Sequence, residues 1–184
     1  MALILTIPPT AEPITLSEAK AHLRLTHSDD DTYVSNLIIA ARRAVESRCD
    51  LAIMPQSWQL YADRWPSDSI FKLRLHPVAS VDGIAMFGED DVAQTLNLSD
   101  FYFDLASRPA RVVLRSNRSY AQPTRRANGI RITFTCGYAT VPLELKQAML
   151  MAIADWYGAR GDEQGGALPA GATQLLSQFK PVRI

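Results

Sequence analysis

The sequence predicts an α+β protein in which N- and C-terminal helices bracket an antiparallel β unit. Two observations carry this. Apolar residues recur at three- and four-residue steps after Asp29 and again after Pro142, whereas between about Gln56 and Tyr138 they alternate with polar ones. The alternating runs are also bounded by Pro, Ser, Asp or Gly, the residues of turns. A chain of 184 residues can bury a core without disulfide or metal staples. The expected organisation is a helical part made of 1–55 and 139–184, carrying an N-terminal arm and a C-terminal tail, with 56–138 as the inserted β unit.

The arm comes first. Pro8, Pro9 and Pro13 remove backbone donors and bias the residues before them away from helix, so the opening segment reads as extended and lying against a neighbour. Thr15 and Glu18 form a capping box for a short first helix running to about Arg24. Ser28 is the expected cap of the second helix, with Asp29, Asp30 and Asp31 in its first turn, where carboxylates complement the positive end of the helix dipole. Tyr33, Val34, Leu37, Ile38, Ala41, Ala44 and Val45 make its apolar stripe, and Arg42, Arg43, Glu46 and Arg48 fall largely outside it. The helix should stop near Cys49 or Asp50.

In the middle, Trp58, Leu60 and Ala62 alternate with Gln59, Tyr61 and Asp63, and Phe71, Leu73 and Leu75 with Lys72 and Arg74. Val81 to Phe87, Phe101 to Leu105 and Arg111 to Arg115 are further strands. The cleanest alternation sets Ile130, Ile132, Phe134 and Cys136 against Arg131, Thr133 and Thr135. Pro142 suits a first helical position, and the third helix continues through Leu145, Ala148, Met149, Ala152, Ile153, Trp156 and Tyr157. A glycine-rich loop from Gly161 to Gly171, a short amphipathic piece from Thr173 to Phe179 and a tail from Lys180 to Ile184 complete the chain.

Charge and motif content exclude more than they identify. Nineteen basic and nineteen acidic residues cancel, which argues against a protein whose main task is to hold nucleic acid through many phosphate contacts. No phosphate-cradling glycine loop, dinucleotide fingerprint or nucleophile elbow is present. Neither an enzyme nor a cofactor is expected. His22, His27 and His76 have no metal-ligand spacing, and Val34 stands where a calcium loop opening at Asp29 would need its sixth-position glycine, so no metal is expected. Cys49 and Cys136 read as small buried apolar groups. The apolar stretch from Ala2 to Ile7 is too short for a signal peptide or a membrane span, which makes the cytoplasm the default and a membrane partner unexpected.

Arg108, Arg111, Arg115, Arg118, Arg125 and Arg126, with Tyr120 among them, make one segment basic. It reads as a solvated β edge, a subunit contact or a DNA contact. A nucleic-acid-binding module that uses 108–131 is therefore the first rival reading. A small hydrolase that joins His22 or His76 to a serine and a carboxylate is the second.

Several motifs in fixed order resemble phage head-to-tail connector proteins, the adaptor or head-completion family: Ile14 to Leu25 (ITLSEAKAHLRL), Asp29 to Asp31, the Ala/Arg-rich second helix, Pro55-Gln56-Ser57-Trp58, Thr135-Cys136-Gly137-Tyr138 followed by Val141-Pro142, and Lys146-Gln147-Ala148-Met149 with Trp156-Tyr157. The resemblance implies a small helical bundle with the β unit inserted between the second and third helices. It also implies a ring, usually of twelve copies, below the portal protein, which carries a tail-side connector or stopper protein and lets DNA pass through its lumen. The β insertion is longer than in short members of the family. Portal binding would fall to the tail, Leu175, Leu176, Phe179, Lys180, Pro181, Val182, Arg183 and Ile184. The implied location is the neck of a virion made in a bacterial host cytoplasm, from a phage, a prophage or a gene transfer agent.

Overall fold

The computed structural model describes residues 1–159 and 167–180. The chain divides into two compact units, one of Met1–Pro9 with Pro55–Gly137 and one of Thr10–Met54 with the chain from Tyr138 onward. Their elements, in chain order, are β1 (Ala2–Ile7), α1 (Leu16–Leu23), α2 (Asp31–Cys49), β2 (Gln56–Ala62), β3 (Ile70–Leu73), β4 (Val78–Phe87), β5 (Ala93–Thr95), β6 (Phe101–Asp104), β7 (Ala110–Leu114), β8 (Ile130–Cys136), α3 (Leu143–Gly158) and α4 (Ala170–Leu175). The mixed α+β class is as expected. No helix among the described residues is long and apolar enough to cross a membrane.

The β unit holds two antiparallel sheets, of order β1-β2-β8-β4-β5 and β3-β7-β6. β8 is the middle strand of the larger sheet, and the alternation read from its sequence is its burial pattern: Ile130, Ile132, Phe134 and Cys136 are buried while Arg131, Thr133 and Thr135 are half-buried. Ile132 sits between Leu60 of β2 and Ile84 of β4 in register, so one face is a continuous apolar layer. The arm is not a free extension. It is β1, paired with this chain's own β2, Leu3 opposite Leu60 and Leu5 opposite Trp58. Prolines forecast its extended backbone but carry no signal for a partner more than fifty residues away.

Gly137, from one of the ordered motifs, has φ 131°, a conformation that side chains with a Cβ rarely adopt. The turn it makes lets its N–H donate to Pro77 O at 2.9 Å, while the N–H of Tyr138 donates to Ile53 O at 3.1 Å within the helical unit.

In the helical unit, α1 has the forecast capping box. The N–H of Glu18 donates to Thr15 Oγ1 at 3.1 Å, and the N–H of Thr15 donates to Glu18 Oε2 at 2.7 Å. The second cap differs from expectation. Asp30, not Ser28, occupies the N-cap of α2 and makes no side-chain cap bond; its carboxylate instead accepts from the Tyr157 hydroxyl at 2.5 Å. Asp31 in the first turn pairs with Lys20 at 2.6 Å. Pro142 is the N-cap of α3 rather than its first helical residue, yet the forecast positions Leu145, Ala148, Met149, Ala152, Ile153 and Trp156 are all buried.

One charged residue breaks the expected stripe of α2. Tyr33 is 37 % exposed, whereas Arg42, read as lying outside the stripe, is only 6 % exposed. Position 42 is four residues after Ile38 and three before Val45, which puts its stem on the apolar face. Its guanidinium is satisfied by two carboxylates: Nε donates to Glu12 Oε2 at 2.7 Å, and a terminal nitrogen donates to Glu46 Oε2 at 2.8 Å. Glu46 Oε1 in turn accepts the N–H of Ile53 at 2.9 Å.

Candidate functional site

The described part of the tail begins with α4 and a 3₁₀ turn over Leu176–Phe179. Leu176 is fully buried in the core that α2 and α3 share, beside Ala172, and Leu175 and Phe179 are partly buried against the same cluster. The carbonyl of Leu176 accepts from Cys49 Sγ at 3.9 Å, and the Trp156 indole donates to Ala167 O at 3.0 Å. Burial pushes the Cys49 thiol pKa up, against the opposing pull of Lys180 and Arg48. Both cysteines are buried and neither is in a disulfide. Leu176 therefore fills this chain's own core, as the apolar period of its segment permits. At Lys180 the backbone turns extended, with φ −67° and ψ 140°. Pro181, Val182, Arg183 and Ile184 lie outside the described residues.

The basic segment largely pairs with its own surroundings. Arg111 donates to Asp104 from Nε at 2.9 Å, and Asp104 also accepts from the Ser107 hydroxyl at 2.6 Å. Ser107 first, and then Arg111, hold that carboxyl down at about 2. Arg115 donates to Ser99 O at 2.7 Å and stacks 3.8 Å over the Tyr102 ring. Arg118 pairs with Asp100 at 2.9 Å and Arg125 with Asp91 at 3.4 Å, while Arg108 and Arg126 are exposed. Tyr120 is not free to stack on a base. Its ring lies 5.8 Å from that of Trp65 and 6.1 Å from that of Phe101, both nearly parallel to it, and its hydroxyl donates to Asp100 at 2.5 Å. That bond raises the Tyr120 pKa. The acidic partners Asp91, Asp100 and Asp104 precede most of the arginines by one strand or more, so composition within 108–131 alone does not reveal them.

His76 is buried, 3 % exposed, just before β4, whereas His22 is exposed on α1. The groove beside α1 is lined by Leu16, Ser17, Lys20, Ala21 and Leu25 and contains neither histidine nor carboxylate. Among the described residues, no group of three His, Cys, Asp or Glu side chains is placed to hold a metal ion.

Comparison with known proteins accounts for a chain rich in packing and poor in chemistry. Residues 13–72 match the model of the family described as "Phage gp6-like head-tail connector protein". No curated protein sequence matches. Among solved structures, the whole chain superposes on 97% of a chain from "Neck of empty GTA particle computed with C6 symmetry", with TM-score 0.85 and 24% identity. It superposes equally on a chain from "Virion of native gene transfer agent (GTA) particle", at 23% identity and TM-score 0.85. At 26% identity and TM-score 0.80 it also covers 97% of a chain from "Neck of native GTA particle computed with C12 symmetry". The first two likenesses speak to the fold. The proteins matched by the family model and at 26% identity are structural parts of phage-type particles rather than enzymes. These matches bear out the resemblance read from the ordered motifs: residues 13–72 are similar to the head-tail connector family, and the whole chain is similar to a chain of a gene-transfer-agent neck.

Proposed function

We propose that the protein is an adaptor, or head-completion, subunit in the virion neck of a phage or gene transfer agent, made in the bacterial host cytoplasm. In this reading twelve copies form a ring that docks on the portal protein, carries a tail-side stopper protein and leaves a lumen through which DNA passes. The observation that supports it most is the whole-chain likeness, at 26% identity, to a chain of a neck computed with C12 symmetry.

Charge agrees with this role. A wall that DNA must slide past should not hold phosphates tightly, and the net charge of this chain is zero. The tail remains the segment assigned to the portal, with the work divided within it. Leu176 anchors the segment to its own core, Leu175 and Phe179 keep part of their apolar surface available, and Lys180, Pro181, Val182, Arg183 and Ile184 reach the partner.

Native mass spectrometry of the protein, alone and mixed with its cognate portal ring, tests this. The expected result is a species twelve times the 20.4 kDa chain mass, free or bound to portal. A monomer indifferent to portal would overturn the reading.

A further inference from the structure

Ten large apolar side chains stand exposed among the described residues, and six of them lie on just two strands: Leu3, Ile4, Leu5 and Ile7 on β1, and Tyr102 and Phe103 on β6. Both strands are sheet edges. β1 ends the five-stranded sheet and β6 ends the three-stranded one, so each presents one unpaired row of backbone N–H and C=O groups.

The other two edges are defended and these two are not. β5 is three residues long, all exposed, and is preceded by the acidic stretch Glu89, Asp90 and Asp91. β3 buries Phe71 and Leu73 and turns the charged Lys72 outward. β1 has no charge, no proline and six exposed residues, apolar on both faces. In β6 the exposed pair Tyr102 and Phe103 points to opposite faces, and the charge at its end, Asp104, is already taken by Arg111 and Ser107. An edge apolar on both faces suits a strand from another chain that is apolar on both faces in turn.

We propose that β1 of one copy pairs with β6 of the next, joining the five-stranded sheet of one subunit to the three-stranded sheet of its neighbour. The contact uses two different patches of the same chain. It is therefore head-to-tail, and repetition of a head-to-tail contact closes into a ring when the rotation allows. A β1-to-β1 contact would use one patch twice and stop at a dimer. This inference rests on the ring reading above.

Two measurements test it. Ile4→Asp and Phe103→Asp, both at exposed positions, should each abolish the ring in native mass spectrometry while circular dichroism and melting of the subunit stay as in the parent protein. Separately, Ile4→Cys and Phe103→Cys proteins are mixed, assembled and treated with a short bis-maleimide; the native Cys49 and Cys136 are buried and stay silent. Linked pairs containing one chain of each kind, and none from either protein alone, are expected. Links between two Ile4→Cys chains, or intact rings from both Asp variants, would overturn the strand pairing and leave the adaptor reading standing; the second result would pass β1 to another protein of the particle. Failure of the parent protein to form a ring with or without portal would overturn the adaptor reading and this inference with it.

Discussion

Arg42 Nε lies 2.7 Å from Glu12 Oε2, joining the middle of α2 to a residue that precedes α1. With Glu46 on the other side, the cation sits between two carboxylates and is only 8 % exposed in its side chain. Burial opposes its charge, and the two glutamates outweigh that cost, so its pKa is raised. Removing the arginine leaves both carboxylates without it in a half-dry site. Arg42→Ala should lower the stability of the protein by about 3 to 5 kcal/mol in urea denaturation. A loss below about 1 kcal/mol would mean that water already screens the cluster.

The same cluster marks where the sequence stops being legible. β8 and the buried positions of α3 are readable because period alone sets their burial. Arg42 shares the period of Ile38 and Val45, but its partner Glu12 is thirty positions away, and no local pattern announces a buried ion pair. β1 is similar: its prolines forecast extended backbone, and β2, its partner, lies beyond two helices. The arginines of 108–131 are visible as a basic run, whereas the carboxylates and the ring that absorb them come from β6, the residue before it and the loop before β5.

Acid should probe the first cap. Glu18 is held below its ordinary value of 4.5, first by the Thr15 backbone N–H and then by the Thr15 hydroxyl. A carboxylate depressed in the folded state contributes stability that is fully present above its unfolded pKa and lost as pH falls through the lower folded value. The gap in urea midpoint between the parent and Glu18→Gln should therefore be constant from neutrality down to about pH 5 and shrink on the acid side of 4.5. A gap that does not change with pH would show that the glutamate acts through its shape alone. Thr15→Ala should cost about 1 kcal/mol.

Anchor and reach in the C-terminal segment should separate. Leu176→Ala removes a fully buried side chain and should cost roughly 2 to 5 kcal/mol. Deletion of 181–184 should leave the melting temperature unchanged and abolish portal binding in a pull-down. Unimpaired binding by that truncated protein would move the portal contact elsewhere.

Arg125 and Arg126 give the test of nucleic-acid binding. With Arg125 on Asp91 and Tyr120 packed against the Trp65 and Phe101 rings, the double change to Ala should leave duplex binding as weak as before. A drop of about 2 in the slope of log affinity against log salt would instead reveal two phosphate contacts and bring the DNA-binding reading back.

The two ends of the β insertion are strand neighbours, since Gln56 opens β2 opposite Cys136, which closes β8. Consequently the chain that separates α2 from α3 is long before the insertion folds and short afterwards. Shortening a loop about tenfold lowers the entropy cost of closing it by about 2 kcal/mol. Pairing of β2 with β8 thus acts as a clasp that favours the meeting of the two long helices, and substitutions that weaken that pairing should slow the folding of the helical core although they touch none of its residues.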